Sequence, residues 1–168
     1  MTSTIMSRVL GTRLKGVGYD LFEWEEVPSA KAFADVVPMA ILLEFDETSA
    51  LLKWDLDPPS EQLTILWDEI PLPGPLIRRV DVSKRWGPFL DETLLTATWA
   101  QHETGDGWQP WAVTLAFSNG SELVVALGEM IGGSPSYLPD SLIITASREI
   151  SRSYQPKAAL TPAWTAPV

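Results

Sequence analysis

Residues 113–128 read "VTLAFSNGSELVVALG". Apolar residues alternate up to Phe117, Asn119-Gly120 breaks the run, and a second apolar run follows from Leu123. Asn-Gly between two alternating runs is a strong short hairpin signal, because both residues tolerate positive φ. A two-residue loop would set Phe117 opposite Glu122, Leu115 opposite Val124 and Val113 opposite Ala126. Directly opposed residues share a sheet face, so Val113, Leu115, Val124 and Ala126 are expected to form an apolar patch. Thr114, Ala116, Leu123 and Val125 fall on the other face, which is only half polar. Both sides of this strand pair are therefore expected to be at least partly covered.

The same rhythm occurs at "ILLEFDETSALLKWDL", with Phe45 standing where Phe117 stands 72 positions later. A turn at Asp46-Glu47-Thr48-Ser49 puts Ile41, Leu43, Phe45, Leu52 and Trp54 on one face. Glu44 and Lys53 then share the other with Leu42 and Leu51. The correspondence extends outward. At the same offset Ala40, Leu43, Phe45, Ser49 and Leu51 meet Ala112, Leu115, Phe117, Ser121 and Leu123. At an offset of 80, Leu10, Leu14 and Tyr19 meet Leu90, Leu94 and Trp99, while Pro59, Glu69 and Ile70 meet Pro139, Glu149 and Ile150. Three matched elements in one order point to duplication.

The expected organisation is a lead (1–8), a first β repeat (9–70), a Pro/Gly-rich connector (71–88), a second β repeat (89–150) and an extended or disordered Pro/Ala-rich tail (151–168). Within the connector, "LIRRVDV" can supply a short strand. Helix signals are scarce: "SAKAFADVV" can make two turns capped by Ser29 and ended by Pro38. The fold class is therefore all-β, an antiparallel sandwich or flattened barrel built from two duplicated hairpin units packed as one domain, with at most one short helix. A two-stranded unit cannot bury its own apolar face, and a copy supplies the matching one.

Composition narrows the chemistry. The chain has 168 residues, no cysteine, one histidine, eight tryptophans and a net charge of −10. Without cysteine there is no disulfide, thiolate metal site or cysteine nucleophile, and a reducing cytoplasm is the expected setting. Arg8, Arg13 and Lys15 interrupt the apolar character of residues 1–18, so no secretory leader is expected. The acidity argues against nucleic acid or an anionic membrane as partner and would steer a basic partner inward.

Catalytic signatures are missing. His102 in "WAQHETGDGWQPW" has no Gly-x-Ser-x-Gly elbow to serve and reads as a solvated loop residue. One histidine and no cysteine make a zinc site improbable, and the carboxylate runs lack the spacing of a calcium loop. The glycines of "GTRLKGVG" and "GEMIGGSP" follow no phosphate-loop order. No enzyme activity, cofactor or metal is expected. Trp54, Trp67 and Trp99, inside alternating runs, read as core. Trp108 and Trp111, flanking Gln109-Pro110 near a turn, are candidates for exposure. With the acidic cluster Glu23, Glu25 and Glu26 they form the candidate interaction surface.

The expected function is non-enzymatic binding of a protein partner, basic in the most concrete form, where an acidic immunity- or inhibitor-type domain plugs a toxin. The alternative is a small-ligand binder with an aromatic-lined pocket between the two repeats. Association into a homodimer through exposed edge strands is left open by the sequence.

Overall fold

The computed structural model describes residues 6–29, 34–55, 61–104 and 107–154. In the hairpin that decides the fold, the turn differs from the expected one. Phe117 N–H donates to Ser121 O at 2.9 Å and Gly120 N–H donates to Phe117 O at 2.9 Å. Gly120 takes φ 81°, whereas Asn119 does not enter the positive-φ region. The loop is thus the three residues Ser118-Asn119-Gly120, a turn closed by one left-handed residue. Asn119 is used differently: its Oδ1 accepts Ser121 N–H at 2.9 Å and its Nδ2 donates to Pro88 O at 2.7 Å. The extra loop residue shifts the register by one, pairing Leu115 with Leu123 and Val113 with Val125. A one-residue slip exchanges the faces of a strand. Val113, Leu115, Phe117, Leu123, Val125 and Leu127 therefore share the inner face, none more than 1% exposed.

In the other hairpin the expected faces hold. Ile41 pairs with Leu52 and Leu42 with Leu51. Phe45 N–H donates to Thr48 O at 2.8 Å, closing a loop of only Asp46 and Glu47.

The strands are β1 (Leu14–Phe22), β2 (Ala34–Val37), β3 (Ala40–Phe45), β4 (Ser49–Asp55), β5 (Gln62–Trp67), β6 (Ile77–Asp81), β7 (Leu94–Thr104), β8 (Gly107–Phe117), β9 (Glu122–Leu127), β10 (Glu129–Ile131), β11 (Ser134–Ser136) and β12 (Leu142–Thr145). A 3-10 helix covers Ser83–Phe89, and helix α1 covers Arg148–Ser153. Two five-stranded antiparallel sheets, ordered β5-β4-β3-β1-β6 and β2-β12-β9-β8-β7, enclose the core; β10 and β11 form a separate hairpin. The result is an all-β sandwich.

Within each sheet four strands form the same meander, β1-β3-β4-β5 and β7-β8-β9-β12. A register irregularity between Leu14 and Gly16 has its counterpart between Leu94 and Thr96. The starts of β1 and β7 also pair with each other at Arg13 and Thr93. Leu14 N–H donates to Glu92 O at 3.1 Å and Leu94 N–H to Thr12 O at 2.9 Å; Gly11 N–H donates to Leu94 O at 2.8 Å and Asp91 N–H to Leu14 O at 2.7 Å. Each bond in these two pairs maps onto the other by a displacement of 80 residues. Gly11 and Asp91 also share a left-handed backbone, at φ 82° and 62°.

Two expectations change. The segment expected to be helical after Pro28 contributes strand β2 at Ala34–Val37, pairing Val37 with Leu142, while residues 30–33 lie outside the described residues. Tertiary pairing overrides a weak local helix signal here, because β2 closes what would be an open edge of β12. On β2, Asp35 is 1% exposed and accepts hydrogen bonds from Tyr19 Oη at 2.7 Å and from the Arg85 guanidinium. Trp86 Nε1 in turn donates to Tyr19 Oη at 2.6 Å. Burial, then the Asp35 charge, pushes the Tyr19 hydroxyl pKa well up, so it stays a neutral donor.

The chain also stays ordered past residue 150. Ser151–Ser153 complete α1, whose N-cap Ser147 Oγ accepts Ile150 N–H at 3.3 Å. Tyr154 is 1% exposed, and its hydroxyl donates to Leu127 O. The remainder of the expected tail, 155–168 with Trp164, lies outside the described residues. Among the described residues no helix is long and apolar enough to cross a membrane.

Candidate functional site

β1 ends at Phe22 because the chain turns there. Glu23 N–H donates to Leu76 O at 2.9 Å, Glu25 N–H donates to Phe22 O at 3.1 Å, and the Glu25 carboxylate accepts Phe22 N–H at 3.3 Å. Arg78 Nη2 donates to Glu25 O at 2.7 Å, pinning the turn to β6. The acidic cluster is therefore a fastened turn rather than an extended strand with Glu23 and Glu25 on one face. Glu23 and Glu26 are exposed, and Glu25 is half-buried.

Between these acids stands Trp24, 68% exposed, its ring parallel to that of Phe22 at 4.8 Å between centroids. Beside it Leu76 is exposed and takes φ 67°. For a bulky residue that backbone costs on the order of 1–3 kcal/mol, and such strain concentrates at functional sites. Leu72, four residues before Leu76, is 89% exposed and shares a cavity lining with Ile77.

Cross-strand pairing carries this surface onto the outer side of the first sheet. Phe22 pairs with Ile77, Asp20 with Arg79, Asp20 also with Ala40, and Ala40 with Lys53. Asp20 and Arg79 form a two-pronged ion pair at 2.7 and 2.8 Å. Arg79 Nη2 also donates to Pro71 O at 3.3 Å, drawing residues 71–74 over the sheet. A cavity of about 210 Å3 lies there, lined by Asp20, Lys53, Trp54, Leu72, Ile77 and Arg79 among others. Trp54 is fixed by its Nε1 donating to Pro38 O at 2.6 Å.

The other candidate residues are placed elsewhere. Trp108 is 52% exposed on β8 of the second sheet. Trp111 is fully buried, edge-on to Tyr154 at 4.9 Å, and presents no surface. It occupies a register irregularity opposite Ala100 and Gln101, which takes it out of the simple alternation of β8. The five residues named from the sequence therefore do not make one patch: the acidic turn belongs to the first sheet, Trp108 to the second, and Trp111 to the interior.

His102 is likewise not a solvated loop residue. β7 and β8 run on to Thr104 and Gly107, so His102 lies within a strand at 2% exposure. Its Nε2 lies 3.0 Å from Glu61 O, and its ring sits 5.6 Å from that of Tyr137. Tyr137 donates its hydroxyl to the Glu61 carboxylate, and burial pushes the Tyr137 pKa up. Among the described residues no three His, Cys, Asp or Glu side chains converge as a metal site.

The sequence reading missed Asp20, Lys53, Leu72, Leu76 and Arg79. The available signal was the period-two spacing of Asp20 with Phe22 and of Ile77 with Arg79, but only the β1–β6 pairing brings those pairs together. No protein-family model, curated protein or solved structure matches the chain.

Proposed function

We propose that this protein works by binding another protein, without chemistry of its own, and that the acidic turn at the end of β1 is its recognition element. The carrying observation is Trp24, 68% exposed on the Phe22 ring between exposed Glu23 and Glu26. Monomeric proteins seldom leave contiguous large apolar groups in water without use, and aromatic anchors dominate interface energetics. A lysine or arginine of the partner would lie over the open face of Trp24, with the carboxylates around it. The net charge of −10 would speed the approach of a basic partner. Inhibition of a basic protein, as by an immunity-type domain, is the concrete form of this reading, with the cytoplasm as the setting that goes with a cysteine-free chain.

Duplication of one ancestral meander is part of the proposal. It is supported by the matched strand orders and by the hydrogen bonds exchanged between the starts of β1 and β7.

The test is affinity capture from native lysate with mass spectrometry, using the wild-type chain beside Trp24→Ser. The reading expects one stoichiometric basic protein at low salt, retained less at moderate salt and lost with Trp24→Ser. Equal retention by both chains would overturn it.

A further inference from the structure

The outer sides of the two sheets carry the same row of paired positions with different contents. On the second sheet Ala100, Ala112 and Ala126 stand opposite one another in turn. Trp111 and Leu127 flank that row, and there Tyr154 packs edge-on to Trp111 and donates to Leu127 O. On the first sheet the row is Asp20, Ala40 and Lys53, flanked by Met39 and Trp54. At the corresponding place, among the described residues, no ring packs as Tyr154 does on the second sheet, and the 210 Å3 cavity lies there, with Trp54 in its wall.

We infer that this cavity is a binding site for a small planar carboxylate, an aromatic acid of one ring. Size sets the first limit. An apolar protein cavity of about 150 Å3 holds benzene, so about 210 Å3 admits one ring and a carboxylate. Met39, Trp54, Leu72 and Ile77 supply apolar walls, as small-ligand sites require beside a few convergent polar groups.

Charge selects the headgroup. Asp20 is occupied by both prongs of Arg79, so neither has a free charge to offer. Lys53 is half-buried in the cavity wall, and among the described residues its ammonium makes no hydrogen bond or ion pair. A buried or half-buried ammonium gains most from an anion. On the second sheet the counterpart of Lys53 is Ala126, so this cation belongs to the cavity and not to the shared scaffold.

The cavity shares Leu72 with the docking surface proposed around Trp24 but uses no residue of the acidic turn. The probe is benzoate, titrated by calorimetry beside benzyl alcohol and benzylamine. Saturable benzoate binding is expected, about tenfold tighter than benzyl alcohol, from one charge-assisted hydrogen bond. Lys53→Met keeps the apolar stem and should bring the two ligands level. Ala40→Leu fills the floor and should abolish binding of both, with melting curves showing that each variant folds. Trp24→Ser should leave benzoate affinity unchanged, which separates this site from the docking surface. No saturable benzoate binding by the wild type would overturn the assignment. So would a benzoate preference that survives Lys53→Met, or tighter binding of benzylamine.

Discussion

Replacing Asp35 by alanine tests how the two sheets are joined. Asp35 lies on β2 in the second sheet, Tyr19 on β1 in the first, and Arg85 in the 3-10 helix. One carboxylate with no exposed side-chain surface accepts from Tyr19 Oη at 2.7 Å and from two nitrogens of Arg85, whose side chain is 11% exposed. Deleting it takes the acceptor from two guanidinium nitrogens of Arg85 and from a buried hydroxyl, while Arg85 Nη1 keeps Ser29 O at 2.6 Å. Removing one partner of a buried pair costs about 3–5 kcal/mol. At about 2–4 °C per kcal/mol for a chain of this size, the melting temperature should fall by roughly 6–20 °C. Far-UV circular dichroism or scanning calorimetry at neutral pH reads this directly. The double variant Asp35→Leu with Arg85→Met removes both charges, and apolar replacement of a whole buried pair is often neutral. It should recover at least half of the lost stability. A fall below about 2 °C for Asp35→Ala, or a double variant no better than the single one, would refute the reasoning.

Two further predictions follow from local geometry. At Gly128 an added Cβ would lie 2.3 Å from Tyr154 Oη and 2.7 Å from Ser136 O, on a backbone of φ 151°. Gly128→Ala should cost about 2–3 kcal/mol, a fall of roughly 4–12 °C, with faster amide exchange in α1; wild-type melting would refute the packing. Arg13 N–H and then the Arg13 side chain hold the Asp46 carboxyl below its ordinary 3.8. Because the folded pKa is the lower one, the unfolded chain takes up this proton first. The resulting stability is present above about pH 4 and lost below it. Asp46→Asn should reduce the drop in melting temperature between about pH 5 and pH 3, and an unchanged acid slope would contradict the assignment.

What the sequence made legible was alternation. Phe45 and Phe117 each close a strand before a turn, and both hairpins stand where their period-two patterns put them. The register of the second hairpin was not legible, because it hangs on whether Asn119 enters the left-handed region. In the fold Asn119 stays out of that region, and its side chain bonds Ser121 N–H and Pro88 O, the latter 31 residues away in the chain. For the same reason the sequence match of Leu51 with Leu123 is not the spatial one. Leu51 opposes Leu42, as Val124 opposes Thr114, one residue later because the second loop is longer by one.

β2 was illegible because the edge it closes, β12, lies more than a hundred residues downstream. Of the candidate site, the acidic turn was visible as a cluster of like residues. The cavity was not, since Asp20, Ala40 and Lys53 come from three strands whose adjacency no local pattern announces. Trp111 misled for a related reason. Gln109-Pro110 resembles a turn in sequence, yet β8 runs through it with only a shift in register.

The measurement closest to the central claim works whichever protein the partner is. Brief hydroxyl-radical labelling of the tagged chain, in native lysate and in buffer, reports by mass spectrometry which exposed side chains become covered. Trp24 and Leu72 on one side, Trp108 and Leu95 on the other, are all more than half exposed in the free chain. The docking account predicts that Trp24 and Leu72 lose labelling in lysate while Trp108 and Leu95 keep it. Equal labelling of Trp24 in both media, or protection confined to Trp108, would contradict it.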